Sequence, residues 1–189
     1  PPVQILSCGI DEDIVLLYQA EVDAAAKSAP PERDRLKKLA HQHALFKEKN
    51  RKLTAALQSH AKQAKQAGTL VMDQKLFTEI HKGIALHPVV GKASEAKYDM
   101  SQNVGFCFGR AAYAHLELSR RGVRQEDMLK IFVFGKLLHS GMLWDFHVAT
   151  AVLGSKTSKG PRNWWIIDSL FESPLELDEW MKRVTRFSV

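Results

Sequence analysis

The chain is 189 residues long, room for one domain with a substantial core, and its 45% apolar and 25% charged residues exclude a wholly disordered chain. Lys and Arg number 27 against 21 Asp and Glu, a formal charge of +6 that points to an acidic partner only where the charge is concentrated. Two cysteines, Cys8 and Cys107, exclude a dense disulfide framework and a CxxC metal site, and no run approaches the roughly 18 apolar residues of a membrane span.

The chain opens Pro1-Pro2-Val3 with no basic segment ahead of an apolar one, so a processed or excised chain is expected. Residues 10–28 read as a helix, with Ile10, Ile14, Leu17 and Ala20 at helical spacing. Pro30 and Pro31 stop it. Glu32 to Ala67 contains no Gly or Pro and carries Leu36, Leu39, His43, Phe46, Asn50 and Leu53 on one narrow stripe, the pattern of a long, mostly solvated helix ended by Gly68. Ten basic and three acidic residues give this segment +7, which leaves −1 for the rest. The surplus reads either as a solvated lysine-rich face or as a docking arm, residues 32–67, for an acidic partner. With Phe46 as its one aromatic residue the segment lacks stacking platforms, and no nucleic acid is expected. The expected division is a helical, basic region over residues 1–68 and a catalytic domain over 69–189.

Residues 69–86 predict a short strand or turn followed by a helix, and Tyr98–Gly105 a loop. Phe106–Arg121 predicts a helix with Ala111, Ala112, His115, Leu116 and Ser119 along one side, closed by Gly122. Lys130–Gly135, Trp144–Leu153 and Trp164–Asp168 are apolar, β-branched and aromatic runs of strand length, the last two joined by the polar turn region Gly154–Asn163. Ser173-Pro174-Leu175-Glu176 has the form of a capping box, opening a closing helix over Leu175–Val184. Helices followed by successive strands give an α+β fold.

Three residues in this order carry chemistry. Cys107 falls at a predicted helix start, where unpaired N–H groups and the helix dipole favour thiolate and can also stabilise an oxyanion. Gly105 and Gly109 leave room there for a substrate backbone. His147 lies mid-strand among apolar neighbours, where its ring needs a hydrogen-bond partner. Asp168 ends the next strand, within reach of that ring. Read singly, Cys107 is equally a small buried hydrophobe, His147 a satisfied core histidine and Asp168 a turn initiator. Read together they make a nucleophile, a base and an orienting acid.

The runs FCFGRAAYAHLEL, WDFHVATAV and WWIIDSLFESPLELDEWM resemble the bacterial protein-glutaminase family and, more broadly, are similar to transglutaminase-like and papain-like cysteine enzymes. The resemblance spans Asn103 to Met181. It implies a papain-like core in which a Cys-bearing helix packs on an antiparallel sheet, with helices added at the N-terminus. It also implies Cys107 as nucleophile, His147 as general base and Asp168 as orienting acid. Arg110 and Ala111 match the residues after the nucleophile, and Trp144 the aromatic residue ahead of the histidine. Ser169 stands where the family pattern expects proline, and the chain before Gly68 matches no part of it.

The implied reaction is attack of the Cys107 thiolate on a glutamine carboxamide of a protein substrate. Deamidation is the leading outcome; transglutamination and peptide-bond cleavage share its first step, and a binding module using the basic helix is the alternative from another class. The oxyanion is expected to meet the Cys107 N–H and the side-chain amide of Asn103 or Gln102, which are also ordinary loop residues. Trp144 and Phe106 are the expected pocket walls, while Trp164 and Trp165 suit a core. No HExxH motif or Cys/His cluster occurs, so neither metal nor cofactor is expected. The resemblance further implies a secreted protein or one delivered into a target cell.

Overall fold

The structure, a computed structural model, describes residues 4–8, 32–64, 72–98, 106–139, 141–155 and 161–187. The helix expected over 10–28, most of the loop expected over Tyr98–Gly105 and part of the turn region expected over Gly154–Asn163 lie outside them. Strand β1 (Gln4–Cys8) is followed by helix α1 (Glu32–Gln63), α2 (Gln74–Leu86), a short α3 (Glu95–Tyr98) and α4 (Cys107–Arg120). Then come β2 (Met128–His139), β3 (Met142–Leu153), β4 (Trp164–Ile167), β5 (Leu175–Glu176) and α5 (Leu177–Val184). The strands form one sheet in the order β1-β2-β3-β4-β5, antiparallel throughout, so the fold is α+β.

Side chains alternate across a strand, and both faces of this sheet are covered. Ile131, Val133, Ala149, Ala151, Leu153, Trp164 and Ile166 pack with Leu53, Leu57 and Ala61 of α1 and with Leu177, Trp180 and Val184 of α5. Met128, Val152 and Ile167 point the other way, onto Leu76, Phe77, Ile80 and Ile84 of α2 and Ala114 and Leu118 of α4. The Asp73 side chain caps α2 by accepting the Leu76 N–H at 3.0 Å.

The basic helix therefore shares its inner face with the sheet. The stripe read from the sequence continues one and two turns further, to Leu57 and Ala61, both buried. The boundary placed near Gly68 falls outside the described residues, and α1 on its near side belongs to the same core as β3 and β4. The strand Gln4–Cys8 was not expected in a region read as helical; its backbone is taken up by pairing with Lys130–Phe134.

Other expectations need correction. The buried stripe of α4 is Ala111, Ala114 and Leu118, one position round from the side chosen by spacing, and Leu116 and Ser119 are exposed. Strand β2 runs through Gly135 to His139 instead of stopping there. Gly135 sits at φ 140° where the register shifts between Phe134 and Leu137, a bulge that a side chain would strain. The capping box does not form: Leu175 and Glu176 pair with Ile166 and Trp165, so α5 starts at Leu177 with no side-chain cap. Its first turn carries Asp178 and Glu179, which suit the positive end of the helix dipole.

A buried ion pair holds the return from β3 to β4. Arg162 and Asp127, 5% and 3% exposed, meet at 2.9 Å. The same guanidinium donates to the Leu153 and Gly154 carbonyls at 3.1 and 2.9 Å. Asp127→Ala removes the carboxylate that this buried guanidinium meets and is expected to cost about 3 kcal/mol, read as a lowered urea midpoint in equilibrium unfolding.

Candidate active site

Helix α4 opens at Cys107 with Phe106 as its N-cap residue and no capping side chain, so the first backbone N–H groups have no partner within the helix. Two donors from the sheet fix this end in place. Thr150 Oγ1 on β3 and Lys130 Nζ on β2 both donate to the Ala111 carbonyl, at 2.7 and 2.9 Å. On the outer side Arg110 Nε donates to the Val90 carbonyl at 2.7 Å, and its guanidinium lies 5.7 Å from the centre of the Phe106 ring. Phe106 is thus a half-buried prop for Arg110. Gly109 faces the Val90 side chain, which a Cβ there would meet at 3.1 Å, so the space expected for a substrate at Gly109 is taken by the protein itself.

The Cys107 thiol is free and half-buried. His147 on β3 is 2% exposed, and its Nε2–H donates to Asp168 Oδ2 at 2.9 Å. Asp168 follows β4 and is 3% exposed. The same Oδ2 accepts from Trp180 Nε1 at 2.7 Å, and Oδ1 accepts the Leu170 N–H at 3.0 Å. The other imidazole nitrogen, Nδ1, is buried, and with Nε2 taken by Asp168 it is the ring atom left to face the Cys107 thiol. The thiol is the titratable group coupled to the ring besides Asp168.

Charge explains the state of each group. Burial pushes the thiol up, but the His147 imidazolium and backbone hydrogen bonds from Val148 and Phe108 outweigh it, and Cys107 ionises below its ordinary range. Burial alone would depress His147; the Asp168 carboxylate and the Cys107 thiolate overcome that and push it up to about 9. Burial likewise raises Asp168, and the imidazolium, the Leu170 N–H and the Trp180 indole reverse it, so the carboxyl stays ionised below the usual range. The arrangement is suited to a thiolate–imidazolium pair backed by a carboxylate.

The bulge in β2 bears on this geometry. Strict alternation would put Trp144 and His147, three residues apart, on opposite faces of β3. Beyond the register shift Trp144 instead stacks on the His147 ring, with centroids 6.0 Å apart and planes at 21°. Trp164 is a core residue whose Nε1 donates to the Leu57 carbonyl at 2.8 Å, and Trp165 packs on Phe77. Gln102 and Asn103 lie outside the described residues. Trp180 was missed: the sequence showed an apolar position on a closing helix, and nothing local says that its N–H is aimed at a carboxylate. Among the described residues no group of three or more His, Cys, Asp and Glu is placed to hold a metal ion, and no helix is long and apolar enough to cross a membrane.

A family model described as glutaminase matches residues 73–184. The chain belongs to the glutaminase family. The match runs from the cap of α2 to the last residue of α5, so it takes in Cys107, His147 and Asp168 and leaves out β1 and α1. Membership in this protein-glutamine deamidase family makes the chain a hydrolase acting on glutamine, with protein as its substrate class. No curated protein and no solved structure matches the chain.

The electrostatics give a test that needs no substrate. Alkylation of Cys107 by iodoacetamide at pH 6, followed by peptide mass spectrometry, is expected to slow by about tenfold or more in His147→Ala. Without the imidazolium, burial is left as the largest influence on the thiol and raises it, so less thiolate is present at that pH. Equal rates in the two proteins would contradict the coupling.

Proposed function

We propose that the chain deamidates protein glutamine side chains through a thioester on Cys107, with His147 moving the proton and Asp168 holding the imidazole. The reading is supported by a half-buried, helix-terminal thiol that interacts electrostatically with a buried imidazole whose far nitrogen is fixed by a buried carboxylate. A thiol on a helix, then an imidazole and a carboxylate on successive strands, is the order used by papain-like thiol enzymes, and the proposal assigns this chain to that mechanism.

The thiolate attacks the carboxamide carbon, and the C=O electron pair moves onto oxygen. The Cys107 backbone N–H is the first donor to that oxyanion, with the side-chain amide of Asn103 or Gln102 as the second. As the tetrahedral intermediate collapses, the imidazolium gives its proton to the departing nitrogen, ammonia leaves and a thioester remains. His147, now neutral, takes a proton from water, whose oxygen attacks the thioester. Glutamate is released, and the thiolate–imidazolium pair is restored with atoms and charge balanced. Asp168 remains a carboxylate throughout, fixing the tautomer that keeps Nδ1 available to the thiol and the water. Trp144, stacked on the ring, and Phe106, at the helix start, are the walls nearest this chemistry.

Incubation with glutamine-bearing protein substrates is expected to raise the mass by about one dalton per modified glutamine and to release ammonia, with Cys107→Ser slower by about a thousandfold or more. Amine-tagged or crosslinked glutamine would replace deamidation by transglutamination, and new chain termini would replace it by proteolysis. The rate is expected to rise with pH as the thiol ionises and to fall as pH passes about 9, because the imidazolium proton needed by the departing nitrogen is then lost. A rate still climbing well above pH 9 counts against the ion pair.

A further inference from the structure

Trp180 stands in α5, on the far side of the sheet from the cysteine helix, and is fully buried. Tryptophan in a core needs a partner for its N–H, and a backbone carbonyl is the ordinary choice. Trp164, in the same core, makes that choice, donating to the Leu57 carbonyl at 2.8 Å. Trp180 donates instead to a buried carboxylate oxygen at 2.7 Å, the same oxygen that receives the His147 Nε2–H at 2.9 Å. Two donors on one oxygen divide its charge between them, and each limits what the other receives.

We propose that Trp180 is a positioning residue of the site, fixing the place of Asp168 Oδ2 and limiting how tightly that oxygen holds the His147 imidazolium. The inference rests on the reading of Cys107 and His147 as a working pair. The groups around the pair leave this role to Trp180. From α4 the titratable group is Cys107, and from β2 it is His139, one ring away across Trp144. From α2 it is His81, whose Nε2 is occupied by the Phe171 carbonyl at 2.9 Å. On α5, Asp178 is taken by Gln58, and Glu179 pairs with Arg183 on the outer side. Lys182 is exposed.

Removing the indole N–H leaves the charge on Oδ2 to His147 alone, so the imidazolium is held to higher pH. Trp180→Phe tests this, and benzothienylalanine introduced at position 180 keeps the fused-ring shape while losing only the donor, which guards against a folding defect. The readout is the rate of Cys107 alkylation by iodoacetamide against pH, which requires no substrate and so separates this inference from the deamidation reading. The alkaline inflection of the unaltered protein, near pH 9, is expected to move up by about half a pH unit or more. The same replacement at Trp164, whose N–H serves a backbone carbonyl, is expected to leave the inflection in place. An inflection that stays put or moves down in the position-180 variant, or that moves equally in both variants, overturns the proposal. Glutamine hydrolysis that is absent while the position-180 shift appears overturns the deamidation reading and supports this one.

Discussion

A carboxylate buried to 3% exposure is tolerated only where donors replace the water it has lost, and in Asp168 three elements supply them. His147 comes from β3, Trp180 from α5, and Leu170 from the turn that follows Asp168 itself. Each hydrogen bond to a charged group is worth roughly 1.5–3 kcal/mol, and the uncompensated charge would cost several. The demand is therefore met only when β3, β4 and α5 are packed together. Tertiary structure and chemistry share this one requirement: the contacts that make the carboxylate tolerable also orient the imidazole.

The sheet decides where such a site can form. α4 and α5 lie on opposite faces of it, yet both reach the pair formed by His147 and Asp168. The ladder between β3 and β4 runs from Leu153–Trp164 to Thr150–Ile167 and stops. His147 and Asp168 lie just past that last pair, where the strands part and helices from either face have access. Thr150, at the end of the ladder, ties the second turn of α4 to this point through the Ala111 carbonyl. The Cys107 end of α4 is thereby tied to the same strand that carries His147.

Much of this was legible in the residues. Cys107 at a helix start, His147 within an apolar strand and Asp168 at a strand end are local patterns, since helix caps, strand periodicity and turn residues act over a few positions. The features that escaped depend on contacts distant in sequence. Trp180 reads as an ordinary core position, and its meaning appears only when α5 docks against the end of β4. The failed capping box is similar: Ser173 and Pro174 carry a helix signal, but pairing with Trp165 and Ile166 claims the next two residues first. Gly135 carried two meanings, stop and bulge, which only the partner strand separates. The choice of face on α4 went astray by one position because two of its large apolar residues, Phe108 and Leu116, lie on the exposed side and blur the stripe.

The charge takes a different place once α1 is seen on the sheet. Lys47, Arg51, Lys52 and Lys62 are exposed, while Leu53, Leu57 and Ala61 on the same helix are buried against the strands. These four positive charges thus ride on the outer side of a core element. α1 lies ahead of the residues matched by the glutaminase family, but its Leu57 carbonyl is the partner of the Trp164 indole, and Trp164 shares a cluster with Ile166, two residues from Asp168. A chain lacking α1 would expose that face of β4 and leave the indole N–H unpaired. The helix that supplies the positive surface is in this way also a support beneath the strand that carries the carboxylate, so charge at the surface and order at the site are properties of a single packed element.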